Sequence, residues 1–269
     1  STYYCGEECM NAHWPKHKQY HKETKERDKE LREGGQPERD RSIAEAGARR
    51  AEATGDEYDK RFAAALALMT EGDYHGAAKA WRKIIKQWPA MHGAYFNLAI
   101  ALDDSNHTVE AAQVYLKAME LCEDGTKDWA EAAAGAFDLL KTSECDEVPK
   151  PEWWNEEALK ALSARVVALA PDKAQPCSMR ARVQAGDVHS LNVGPRTAAE
   201  IKEGGTWFRR AAMVALNPAS KQRYEMNASR YDEYADPLLA EEAAQAAKAR
   251  AAAEDEAAET LKVAEAKAT

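Results

Sequence analysis

The sequence predicts an all-α protein, an array of helical hairpins preceded by a small metal-binding segment, and three observations carry that expectation. Ala, Glu, Lys, Arg and Leu dominate while β-branched residues are sparse, a composition that favours helix almost throughout. From Tyr58 onward small and large apolar residues recur with a phase of 34 residues, as in stacked two-helix units. At the other end, Tyr4 to His21 (YCGEECMNAHWPKHKQYH) concentrates Cys and His at short spacings.

Bulk properties narrow the function classes. With 269 residues, 45% of them hydrophobic, and seven Trp, the chain has material for one large or two modest domains with a real core. A net charge of -9 argues against an electrostatic grip on nucleic acid by the whole molecule, although the first 32 residues are locally basic. Beyond Cys5 and Cys9, the remaining Cys122, Cys145 and Cys177 are scattered through helical sequence and do not resemble a disulfide framework. A reducing compartment, cytoplasm or nucleus, is expected. No apolar run approaches the roughly 18 residues of a membrane span, so no membrane partner is expected.

In chain order, the first element is residues 1–22. Zinc takes Cys thiolates and His imidazoles in tetrahedral sets of four. Cys5 and Cys9, with three residues between them, can form a knuckle; His17 and His21, four apart, share a face if the segment after Pro15 is helical. The pattern Y-C-x3-C-x3-H-W-x2-H-x3-H closely resembles the second half of the MYND zinc finger, including His13-Trp14 and Lys18, with His21 in place of a final Cys. The resemblance implies Zn2+ as cofactor and Cys5, Cys9, His17 and His21 as ligands. It also implies two interleaved sites, with each pair completed by upstream Cys that this sequence lacks. The chain is therefore expected to be a fragment of a longer one, or else the four residues close a single two-Cys, two-His site.

Residues 23–57 read as a charged linker, with Gly34-Gly35 and Pro37 interrupting any single helix and too few apolar residues to bury a face. At residues 58–236 the repeat begins. Gly72 to Pro89 reads as a turn, an amphipathic helix with Ala77, Trp81 and Ile84 inward, and a Pro stop; the phase places Ala111, Tyr115 and Ala118 beneath them. In the preceding helices Ala64, Ala65 and Leu68 align with Leu98, Ala99 and Leu102. These residues resemble the tetratricopeptide repeat, well in the first unit and fairly in the second, where Asn106-His107-Thr108 replaces Gly72-Asp73-Tyr74. A third unit is expected from Thr126, its helices separated by the insertion TSECDEVPKPEWW and the second running Ala158 to Pro171. A degenerate fourth pair is expected at Ser178 to Gln184 and Thr197 to Asn217, with Pro218 as a stop and residues 221–235 as a capping helix. Trp81, Tyr95, Tyr115, Trp129 and Trp207 are expected to pack between helices. Residues 237–269 have high helix propensity but little to bury, which predicts a lone solvated helix or disorder.

Arrays of helical hairpins present a groove lined by the first helix of each unit and typically receive peptide segments there. Phe62, Leu66, Phe96, Asn97, Ile100, Asp103 and Lys127 are the candidate lining residues. Compared with the carboxylate clamp of chaperone-binding tetratricopeptide proteins, only Asn97 and Lys127 fit. Phe62 and Leu66 stand where a Lys and an Asn are required, and Glu131 where an Arg is required, so EEVD-type tails should not bind. G-x-S-x-G, P-loop, H-E-x-x-H and G-x-G-x-x-G motifs are absent. The resulting expectation is a non-enzymatic, zinc-binding adaptor that binds protein segments. The alternatives are a remnant of a lysine methyltransferase that pairs a SET domain with a MYND finger, lacking its catalytic domain, or a nucleic-acid-associated regulator. The space between His21 and Tyr58 is too short for a SET fold, and nothing resembles its NHSCxPN segment.

Overall fold

A computed structural model describes residues 37 to 268 apart from Ser190 and Asn192, with side chains from Ala44 to Glu254. Among the described residues there are ten α-helices and no strand: α1 (Pro37–Thr54), α2 (Glu57–Thr70), α3 (Tyr74–Gln87), α4 (His92–Asp104), α5 (Thr108–Leu121), α6 (Lys127–Leu140), α7 (Glu156–Leu169), α8 (Ala174–Ala185), α9 (Ala198–Val214) and α10 (Pro218–Ala268). A short 3-10 turn covers Ser143–Cys145. The chain divides into two compact units, residues 37–124 with 215–223 and residues 125–214 with 224–268.

In the first unit, α2 with α3 and α4 with α5 are two copies of one tetratricopeptide-like hairpin, and their turns show why the phase is 34 residues. Gly72 takes φ 78° and donates to the Met69 carbonyl at 3.0 Å, while Asp73 N–H reaches the Leu68 carbonyl at 2.9 Å. In the second hairpin Asn106 takes φ 64° and repeats the pattern, donating to Asp103 at 3.0 Å, with His107 donating to Leu102 at 2.8 Å. Asn tolerates the left-handed region better than other side chains, so the turn survives the substitution. What it loses is the cap. The Asp73 side chain accepts from Gly76 N–H at 2.8 Å, whereas His107 makes no such bond.

The expected inward residues meet across each hairpin. Ala77, Trp81 and Ile84 are buried, and so are Ala111, Tyr115 and Ala118. Trp81 lies edge-on to Phe62 of α2 with centroids 4.7 Å apart, and Tyr115 lies edge-on to Phe96 of α4 at 5.5 Å. Full burial of one large apolar side chain contributes about 1.5–3 kcal/mol, so these aromatic knobs and their small neighbours dominate each hairpin. One pairing departs from the alignment, because Leu98 is buried but its counterpart Ala64 is exposed.

The linker expectation is corrected at its C-terminal end. Pro37–Thr54 is a single helix, and it packs on α2. Ala44 and Gly47 are half-buried and Ala51 is buried, a stripe at i, i+3 and i+7; a Cβ on Gly47 would lie 3.2 Å from Leu66 Cδ1. Small residues here let the backbones approach, so a face without large apolar side chains still buries surface. Asp59, buried in the first turn of α2, accepts from Thr54 Oγ1 at 2.8 Å and pairs with Arg50 at 3.1 Å. The helix also keeps the array's phase, since α3 follows α1 by one repeat length. It stands as the second helix of a preceding half-unit, with Gly47 where α3 carries Trp81.

In the second unit, α6 is buried on most sides, and the insertion after it folds back. Lys150 Nζ donates to the carbonyls of Leu140 at 2.8 Å and Cys145 at 2.7 Å, capping the end of α6. Further on, α9 lies against both α8 and α10 through Gly204 and Gly205. A Cβ on Gly204 would come within 2.8 Å of the Ala181 carbonyl oxygen and 3.1 Å of Tyr231 Cδ2. Phe208 is fully buried with its ring against Tyr224 and Tyr231, while Trp207 is half-exposed and donates to Glu203 at 3.2 Å. The inter-helix aromatic is thus Phe208 rather than Trp207. Tyr224, Ala228, Tyr231 and Ala235 form the buried stripe of the expected capping helix. Pro218 begins α10 instead of ending α9, in keeping with its preference for a first turn, and the helix continues through Pro237 to Ala268 with residues 240–254 exposed.

Candidate peptide-binding face

The candidate lining residues divide into three groups. Phe96, Asn97, Ile100 and Asp103 share one side of α4 at i, i+1, i+4 and i+7, and all four are half-buried. Asn97 Nδ2 donates to the Gly93 carbonyl of its own helix at 2.8 Å, which orients the amide and leaves its oxygen available. This stretch offers apolar contact from Phe96 and Ile100, an amide acceptor, and a carboxylate at the end of the helix.

The second group is Phe62, half-buried, and Leu66, buried. Phe62 is wedged in an aromatic cluster, 5.6 Å from Tyr58 and 4.7 Å from Trp81, and comes within 3.8 Å of where a Gly93 Cβ would stand. Leu66 is buried beneath α1. The expectation of an open groove position is corrected for Leu66, which α1, read as solvated linker, covers; Phe62 is half-buried like Phe96, and each lies edge-on to the aromatic of the following helix, Trp81 and Tyr115. Burial pushes the Tyr58 hydroxyl above its ordinary value, with the neighbouring Asp59 carboxylate adding to the rise.

The third is Lys127, which belongs to the second unit. Its ammonium bonds to Asp172 at 2.6 Å, and this hydrogen bond raises the Lys127 pKa and lowers that of Asp172. Glu131, one turn on, pairs with Lys173 at 3.0 Å. Both cation and carboxylate are already matched across α6 and the α7–α8 turn, so Lys127 is not poised for a ligand carboxylate. Another internal anion site lies nearby in sequence. Glu156 accepts from Gly194 N–H at 3.0 Å, Arg196 at 2.5 Å and Lys160 at 3.2 Å, and these donors, the Gly194 amide foremost, bring its carboxyl down to about 2. The cradle pins residues 194–196 to the start of α7 and serves the fold.

Cys5, Cys9, His17 and His21 lie outside the described residues. Among those described, no group of three or more His, Cys, Asp or Glu can hold a metal ion, and no helix is long and apolar enough to cross a membrane. Sequence reasoning passed over Lys150 and Trp154, which organise the insertion; the signal available was the motif P-K-P-E-W-W, two prolines framing a cation before two aromatics outside the repeat phase.

No protein-family model matches the sequence, and no curated protein matches it. Among solved structures, one crystal structure of MamA is similar with a TM-score of 0.42 and 15% identity over 71% of this chain and 96% of that one. A second MamA structure gives 0.38 and 18%, covering 70% and 97%. The tetratricopeptide-like architecture stands on the paired hairpins and their repeated turns, independently of these likenesses.

Proposed function

We propose that this protein is a non-enzymatic adaptor that binds protein segments on the exposed side of α4, with a zinc-binding segment at its N-terminus. The observation that carries the first part is the run of Phe96, Asn97, Ile100 and Asp103, half-exposed on a helix whose opposite side holds the buried Leu98, Ala99 and Leu102. A rigid helix with an apolar centre and an oriented amide suits a segment that presents an apolar anchor beside a hydrogen-bond donor. The Lys127–Asp172 and Glu131–Lys173 pairs favour ligands other than carboxylate-terminated tails.

Panning a displayed peptide library against the full chain, followed by calorimetry on the enriched peptides, tests this. Ile100→Glu should weaken binding at least tenfold, about 1.4 kcal/mol, while Met213→Ser, at an exposed apolar residue elsewhere, should not. Peptides ending EEVD should give no heat. Enriched peptides indifferent to Ile100→Glu would refute the α4 face. The zinc proposal rests on the donor chemistry of Cys5, Cys9, His17 and His21, all ordinary zinc ligands. Elemental analysis that finds no zinc in the purified full chain, or zinc retained after Cys5 and Cys9 are both changed to Ser, would remove it.

A further inference from the structure

The 34-residue phase that puts Phe96, Ile100 and Asp103 on the exposed side of α4 puts Ala130, Ala134 and Phe137 on the corresponding side of α6. On α6 those three residues are buried. Phe137 is covered by the chain itself: Trp154, from the insertion between α6 and α7, packs on its ring with centroids 5.8 Å apart, and Trp153 packs on Trp154 at 5.6 Å. The segment that delivers Trp154 is Val148-Pro149-Lys150-Pro151-Glu152-Trp153-Trp154. Its two prolines donate no backbone hydrogen bonds and stiffen the stretch from Pro149 to Pro151, after which Trp154 N–H closes a turn on the Pro151 carbonyl at 2.8 Å. Val148 and Trp154 are buried at its ends, and between them Lys150 caps the carbonyls of Leu140 and Cys145 while its ammonium sits 5.2 Å from the Trp154 ring centre.

An apolar anchor, a cation that bonds backbone carbonyls and a proline-stiffened spine are the components of a peptide ligand. The closed arrangement leaves the Trp154 indole N–H buried with no acceptor, as the first hairpin leaves that of Trp81. That penalty is relieved when the segment lifts into water. We infer that residues 148–154 are a strap bound in cis on the peptide-receiving side of α6, and that a partner segment of the same chemistry, proline-framed Lys followed by aromatics, binds there when the strap lifts. This rests on the reading of the array as a binder of protein segments, extended from α4 to α6.

A tethered segment acts at roughly millimolar effective concentration, so the strap masks a face of about 10 micromolar affinity by on the order of a hundredfold. The probe is a fluorescein-labelled peptide of residues 148–155, titrated by anisotropy into the full chain, Trp154→Ala and Lys150→Ala, each checked for folding by circular dichroism. The second variant weakens the strap without opening a cavity, so the test survives if the first fails to fold. Wild type should bind the probe at least tenfold more weakly than a folded variant. Equal binding by wild type and variants, or binding by none of the folded proteins, would overturn the strap. Ile100→Glu is not part of this site, so failure of the α4 reading in the library experiment is separable from failure here.

Discussion

Replacing Gly204 by Ala sets helix propensity against packing, and the structure says which wins. Gly204 lies in the interior of α9, where Ala is preferred over Gly by about 1 kcal/mol. The added Cβ, however, would stand 2.8 Å from the Ala181 carbonyl oxygen, 3.0 Å from Ala185 Cβ and 3.1 Å from Tyr231 Cδ2. The nearest obstacle is backbone of α8, which cannot swing aside, and the opposite one is a ring buried against Phe208. Forcing a group into such a site costs about 1–3 kcal/mol, and with three contacts this short the upper end applies. After the propensity gain, the net loss is about 2 kcal/mol, a fall of about 4–8 °C in melting temperature at this chain length. Gly205 supplies the control. Its Cβ would meet Asp232 Oδ1 at 3.1 Å, a carboxylate paired with the long side chains of Lys202 and Arg209, which can follow a shift of a few tenths of an ångström, and the Ala228 carbonyl only at 3.4 Å. Gly205→Ala should therefore be close to neutral. Melting followed by far-ultraviolet circular dichroism gives both values. A Gly204→Ala variant as stable as wild type, or a Gly205→Ala variant equally damaged, would refute the account of how α8, α9 and α10 fit together.

Two further outcomes follow from local geometry. Glu156 has its carboxyl lowered to about 2 from 4.5, so below 4.5 the unfolded chain takes up a proton that the folded chain refuses; its contribution is complete above pH 4.5 and fades as pH falls towards 2. Urea midpoints measured across that window should fall less steeply with acid in Glu156→Gln than in wild type, and parallel curves would show that the Gly194–Arg196 cradle does not hold the carboxylate in solution. Asn106 at φ 64° holds the α4–α5 turn. Asn106→Ala should cost about 1 kcal/mol in chemical unfolding and Asn106→Gly close to nothing, whereas equal effects would mean that the left-handed conformation is not what the side chain is selected for.

Much of the array was legible because it depends on residue size at fixed spacing. Trp81 and Tyr115 with their small partners recur one phase apart, and a knob with a matching gap is a local property of two helices that the chain order brings together. The capping helix at residues 221–235 was expected from the sequence, and the structure supplied its buried stripe of Tyr224, Ala228, Tyr231 and Ala235. The lining residues were less legible. Leu66 occupies the same register as Ile100, and nothing in its own hairpin says that α1 will lie over it.

By itself the sequence determined an all-helical chain, the 34-residue phase, the positions of the turns and the aromatic residues at the hairpin centres, because helix propensity and amphipathic periodicity act within a few turns of chain. Only the tertiary structure decided which apolar residues stay exposed. The stripe Ala44, Gly47 and Ala51 is too small to announce itself as a buried face, yet its smallness admits α2 at close range. The prolines and tryptophans of the insertion carry no period at all, so their return to Phe137 depends on contacts made across the folded unit. Lys127, a free cation in sequence, is matched by Asp172 from a turn 45 residues away. Charge pairing and close approach across such separations are fixed by packing, and it is packing that leaves α4 with the open side and gives α6 its cover.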